Sequence, residues 1–257
     1  MSAAAQLVRQ IRSTNLVFWR NPASAFFTFV FPLMFLVIFT TLFGNAETEI
    51  PGIEGTISTS TFYVASMATF AVISACYTNI GISIVFSREA GILKRTRGTP
   101  LPAWIYLSGR VAHATFVAFL LVVITVAFGA LVYEAEIPTG ATLFRFVVTM
   151  LVGAASFSAL ALALTAAIPN GDAAPPIVNA SILPLLFLSD VFIPLGPDPA
   201  AWVDVVGKVF PVRHFTLSMQ AAFLGTPFEW TDVLIVAAWG VGGLVLAARF
   251  FTWEPRR

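Results

Sequence analysis

At 257 residues, with 58% of them apolar and only 11% charged, the chain has far too little polar surface to coat a soluble globule of its size and reads as an all-α polytopic membrane protein. Its net charge of +1 argues against a nucleic-acid binder, which needs a concentrated basic face. The single cysteine, Cys76, excludes an intrachain disulfide, and His113 and His214 lie far apart with no ligands at metal-site spacing, so no metal centre is expected.

The first element, residues 3–20, places Leu7, Ile11, Thr14 and Phe18 on one helical face and Gln6, Arg9, Gln10, Ser13 and Arg20 on the other. This is the pattern of an amphipathic helix lying along the membrane surface, serving either as a plain anchor or as part of the grip on a partner. A hydrocarbon core about 30 Å thick requires about 20 helical residues, and residues 23–43 meet that length as the first span. Pro32 at its centre removes a backbone donor and predicts a kink. The basic residues before this span and Gly44-Asn45-Ala46 after it mimic a secretory signal, but the apolar region exceeds the ~7–15 residues of such signals and more spans follow, so it is read as uncleaved.

The next loop carries Glu47, Glu49 and Glu54 with no Lys or Arg, which marks it as external. Residues 62–86 return as the second span. Then comes a dense basic segment, Ser87 to Pro102, containing Arg88, Lys94, Arg95 and Arg97, with Gly98 and Pro100 as stop signals after a helix of two to three turns. Residues 111–133 form the third span, with Arg110 able to snorkel toward water, and Glu134 and Glu136 label the following loop external. Spans four and five occupy about 143–168 and 174–193. Two apolar stretches too short to cross, residues 202–210 and 215–224, read as re-entrant or interfacial helices hinged at Pro211. The sixth span is 233–251, and the whole of 1–257 forms one membrane domain. Eleven of the fourteen basic residues then fall on one side, which the positive-inside tendency makes cytoplasmic, together with both termini; only Arg145, Lys208 and Arg213 fall outside.

No phosphate-binding Gly-x-x-x-x-Gly-Lys-Ser/Thr loop, Gly-x-Ser-x-Gly elbow or His-Glu-x-x-His pair is present, and no catalytic residue is assigned. Charged residues lie near span ends rather than mid-membrane, which weakens an ion- or proton-coupled carrier. In the first span Phe27, Phe31, Phe35, Phe39 and Phe43 recur every four residues, a ladder that serves either helix packing or a polarizable wall for an amphipathic substrate. In the fifth, Asn179, Leu183, Leu186 and Asp190 share a face, and Asn179 fits equally well as an interhelical packing contact.

Three motifs carry a resemblance. Arg88-Glu89-Ala90-Gly91-Ile92-Leu93-Lys94-Arg95 with Thr99-Pro100-Leu101 resembles an R-E-x-G-T-L-x-R…T-P signature. Pro184-Leu185-Leu186-Phe187-Leu188-Ser189-Asp190-Val191-Phe192-Ile193-Pro194 resembles P-L-x-F-L-S-G-x-F-x-P, and Pro211-Val212-Arg213-His214-Phe215 is a third match. Together with the surface helix, six spans and re-entrant stretch, these resemble the membrane subunits of type-2 ATP-binding-cassette exporters, the permeases of drug, lipid and polysaccharide efflux systems. Ile92 stands where that family usually has Thr, and Asp190 where it usually has Gly.

The resemblance implies a half-transporter of the cell membrane: two permeases, identical or related, paired with two cytoplasmic ATPase subunits that bind the ATP and Mg, this chain binding no cofactor. Arg88, Glu89, Gly91, Ile92, Leu93, Lys94, Arg95, Arg97, Thr99 and Pro100 would then form the coupling helix and its flanks, with a charged rim around Ile92 and Leu93. Phe27, Phe31, Phe35, Phe39, Asn179, Leu183, Leu186 and Asp190 would line the translocation path. A secondary carrier and a non-transporting membrane scaffold are the alternative readings.

Overall fold

The computed structural model describes residues 2–44, 47–49, 56–196 and 198–254; Asn45, Ala46, Glu54, Arg256 and Arg257, used above, lie outside them. The amphipathic helix α1 (Ala3–Trp19) starts at an N-cap, Ser2, whose hydroxyl accepts from the Ala5 amide. It buries the expected face: Thr14 is buried, Leu7, Ile11 and Phe18 are half-buried, and Arg9, Arg12 and Arg20 are exposed. Gln10, placed on the polar face by sequence, instead sits against Gly109, where a β-carbon would collide with it. Asn21 then caps α2 (Pro22–Phe43), with Pro22 in the first turn where its missing N–H costs nothing. The helix continues through Pro32 without a break.

A two-stranded departure from the all-helical pattern follows: β1 (Glu47–Glu49) pairs antiparallel with β2 (Thr56–Ser58), Thr48 opposite Ile57. Next, α3 (Thr59–Ile73) runs through a π-helical turn at Ser74–Thr78 into α4 (Asn79–Glu89), making one 31-residue helix. Every residue of α3 is buried, so this is the central post of the bundle. A short helix α5 (Ile92–Arg97) leads to α6 (Ala103–Tyr133) and α7 (Gly140–Thr165).

Among the described residues five helices, α2, α3–α4, α6, α7 and the last helix α11 (Trp230–Phe250), are long and apolar enough to cross a membrane. The fifth predicted span is different. Its helix α8 (Ala174–Phe187) has 14 residues, about 21 Å of rise against a ~30 Å core, and does not extend to residue 193. Beyond Phe187 the backbone turns, and Asp190 adopts a left-handed φ of 57°, which no continuing α-helix accepts. The two short helices occur as α9 (Ala201–Val209) and α10 (Pro211–Leu224), with Pro211 opening the second. They differ in environment. Within α10 only Arg213, His214 and Leu217 escape full burial, whereas α9 exposes Trp202, Val205 and Val209.

Close packing comes from small residues. Gly243 of α11 approaches the backbone of Ala159 and Leu160, and Gly240 lies on Ser156, so α11 runs parallel to α7 with almost no space between them. Three contacts bring the termini to the end of the bundle that carries α5: Gln10 against Gly109, Arg88 bonded to Thr252, and Tyr106 against Trp253. The hairpin and the Glu136 amide, which donates to the Thr61 hydroxyl, mark the far end.

Candidate functional site

The basic segment divides into residues that face inward and residues that face out. Arg88, only 2% exposed, drives its guanidinium into the end of α7: Nη1 donates to the Thr165 carbonyl at 2.9 Å and to the Thr252 hydroxyl at 3.2 Å, and Nη2 donates to the Ile168 carbonyl. A cation at the free carbonyls of a helix C-terminus is favourably placed, for both hydrogen bonding and the helix dipole. Glu89 accepts from the Gly171 amide at 2.7 Å, in a spot where a β-carbon at 171 would displace the carboxylate. Both residues therefore fasten the end of α4 to the α7–α8 connection.

Gly91 follows with a left-handed φ of 69°, the conformation glycine adopts at no steric cost. This turn separates α4 from α5, so the predicted two- to three-turn helix is shorter than expected and begins only at Ile92. Leu93 is fully buried in the chain's own core and does not face outward; Ile92, 44% exposed, does. Arg95 folds back, with Nη2 donating to the Ala90 carbonyl at 3.0 Å. Lys94 and Arg97 are exposed, and neither has a side-chain partner among the described residues. Thr99 closes the segment by donating to the Thr96 carbonyl at 2.6 Å, ahead of exposed Pro100.

Of the predicted path residues, Phe31, Phe35 and Phe39 form one aromatic array with Phe70 of α3 and Phe192 beyond α8: Phe35 lies 4.8 Å from Phe31 and 5.7 Å from Phe192. Phe27 stands apart at the other end of α2, exposed beside Phe26. The shared face expected in the fifth span is not kept. Leu183 is exposed, Leu186 is buried, Asn179 is half-buried, and Asp190 lies past the helix end.

Asp190 takes part in a polar cluster instead. Its carboxylate accepts from the Leu195 amide at 2.8 Å and meets Arg213 at 3.4 Å; Arg213 also reaches Asp204 at 3.3 Å. Asp204 in turn pairs with Lys208 at 2.6 Å, and that hydrogen bond holds its carboxyl below the ordinary value. His214 bridges Asp232 at 2.6 Å and the Lys208 carbonyl at 3.0 Å. Gln220, unremarked in sequence, donates from inside α10 to the Ser66 hydroxyl and the Asp190 carbonyl. Its one signal in the sequence is an amide side chain set between apolar Met219 and the apolar run 221–224. The cluster ties the α8–α9 turn to α9, α10 and α3.

The left-handed backbone explains why glycine suits position 190 and how an aspartate is tolerated there, its short side chain offsetting the strain by local hydrogen bonding. Asp190→Ala should lower stability by about 2 kcal/mol, losing both the tolerance and the acceptor, whereas Asp190→Asn should lose less because it retains an oxygen for the Leu195 amide. Melting curves in detergent check this order; an alanine variant as stable as wild type would contradict it.

Residues 5–224 match the family model of the ABC-2 type transporter, and the chain belongs to that family. A protein of Porphyra purpurea named "Putative transport permease ycf38" is 25% identical over 228 residues, covering 86% of this chain and 75% of that one. Its namesake in Pyropia yezoensis is 26% identical over 243 residues, with 91% and 80% covered. The transport permease YvfS of Bacillus subtilis (strain 168), named with the same qualifier, is 24% identical over 238 residues, with 91% and 89% covered. The chain is thus the multi-pass membrane subunit of an ABC transporter, not an enzyme in itself, and it works with an ATP-binding-cassette subunit.

Proposed function

We propose that the chain is the permease of an ATP-driven exporter that moves a hydrophobic or amphipathic substrate out of the cytoplasm across the cell membrane. Two permeases, identical or related, embedded in membrane lipid, pair with two cytoplasmic ATPase subunits, which hold ATP and Mg. The observation that carries this reading is the split character of the basic segment: Arg88, Glu89 and Leu93 fasten it to the bundle, while Ile92, Lys94 and Arg97 face out. A displacement of α5 by a partner would be carried through Arg88 and Glu89 into the α7–α8 connection, and so toward α8 and its polar cluster. The exposed trio presents an apolar centre beside cations, suited to a groove with an acidic rim.

The aromatic array on α2 supports an apolar or amphipathic cargo, because Phe31 remains accessible beside partly buried Phe35 and Phe39. Inverted vesicles containing this permease and its ATPase should accumulate a fluorescent lipid or dye from a panel of amphiphiles only when ATP and Mg are supplied. Uptake driven equally well by a proton gradient without ATP would refute the assignment.

A further inference from the structure

A cavity of about 790 Å³ opens at the α5 end, walled by α1, α2, the π-helical turn, α4, α5 and α6. Its volume falls within the range of ligand sites, about 300–1,000 Å³. The wall is unusually polar for a membrane helix bundle, and its chemistry is one-sided. Hydroxyl and amide side chains dominate, and among the described residues no carboxylate lines it and Arg110 is its one charged residue.

Arg110, expected from sequence to snorkel into water, is instead half-buried. Its Nη2 donates to the Tyr106 hydroxyl at 2.9 Å and the Ser87 hydroxyl at 3.0 Å. Among the described residues it has no carboxylate partner. A guanidinium held only by neutral hydroxyls in a partly desolvated site lacks a counter-charge, and a phosphate or carboxylate would supply one.

The remaining wall fits a hydroxylated group rather than a bare anion. The hydroxyls of Thr28 and Thr96 spend their protons on carbonyls one turn back, at 2.7 and 2.9 Å, so each is left as an acceptor in the cavity wall, while Ser87, bonded the same way at 2.7 Å, accepts from Arg110. The amide of Asn79 adds donors, and Ser74 and Thr78 come from the π-helical turn, a distortion often associated with function. Acceptors, donors and one cation together complement alcohols beside an anion.

We infer that this cavity binds the anionic, hydroxyl-bearing headgroup, a phosphate ester, of the amphipathic substrate proposed above; the identity of the occupant as cargo rests on that reading. Ile92 and Thr96 of α5 belong to the same wall, so an occupied cavity touches the segment that carries Lys94 and Arg97.

The test uses the purified permease–ATPase complex in neutral detergent, titrated with phosphatidylglycerol or phosphatidylcholine and read by native mass spectrometry without ATP. Phosphatidylglycerol should be retained about tenfold better than phosphatidylcholine. Arg110→Gln should abolish that preference and Arg110→Lys should keep part of it. Asn79→Leu, which leaves the guanidinium intact, should also weaken retention, and Arg249→Gln, an exposed cation outside both the cavity and the basic segment, should not. Competition by glycerol phosphate would assign the site to a soluble ester's head as well, and lack of competition would assign it to the lipid. Equal retention of both lipids by wild type, or an unchanged preference in a folded Arg110→Gln or Asn79→Leu protein, would overturn the inference. Because binding is read without turnover, intact preference in a complex that fails to transport would instead count against the transport reading.

Discussion

Replacing Arg88 with leucine is expected to lower the stability of the permease by about 3 kcal/mol, the largest effect of any single change in the basic segment. The side chain is almost wholly enclosed, and its two terminal nitrogens serve the Thr165 and Ile168 carbonyls and the Thr252 hydroxyl. Leucine fills part of the volume but strands those acceptors, each costing about 1–3 kcal/mol when buried without a donor, an upper bound reduced by relaxation and by the relief of no longer burying a charge. Lysine brings a charge without the planar fork and should recover about half the loss. Thermal melting of the detergent-solubilised protein gives the order Arg, Lys, Leu. An unshifted leucine variant would mean that the end of α4 is not fastened as described. Glu89→Gln should be mild by comparison, since Glu89 is exposed and an amide oxygen still accepts from Gly171.

The second large effect is functional. Reversing Lys94 and Arg97 to glutamate should cut permease-stimulated ATPase activity and transport by about tenfold or more while leaving the melting temperature unchanged. The reasoning follows from exposure: neither side chain has a partner within the described chain, so removing the two positive charges costs the fold nothing, but a partner with an acidic rim would meet repulsion. Arg95→Glu should have a smaller coupling effect and a small stability cost, because Arg95 is engaged with the Ala90 carbonyl. Normal ATPase stimulation by the Lys94/Arg97 reversal would exclude these residues from the docking surface.

Much of the architecture was legible because the membrane leaves so few options. The length of apolar runs located α2, α3–α4, α6, α7 and α11, and the 3.6-residue pattern of α1 placed Thr14 inward and its arginines outward. What the chain's pattern could not convey was long-range partnership. Arg88 looks like one more cation of a basic loop; only the fold brings it to residues 77 and 164 positions away. Asp190 reads as the outer end of an apolar helix, yet its left-handed backbone ends that helix early and turns the carboxylate to Arg213. Leu93 and Ile92 are adjacent and similarly apolar, and the way α5 lies against the bundle after the turn at Gly91 buries one and exposes the other. The cavity around Arg110 draws on five helices and a π-helical turn, a coincidence that no single window of sequence contains.

The most direct measurement is disulfide-independent crosslinking from position 94. In a Cys76→Ala background, which removes the only native cysteine, Lys94→Cys carrying a short photoactivatable label should crosslink to the ATPase subunit in membranes, with a yield that changes on adding ATP. The same label on Trp202→Cys in α9 should give none. Efficient crosslinking from position 202 with none from 94 would place the ATPase at the opposite end of the bundle and contradict the coupling role proposed for α5.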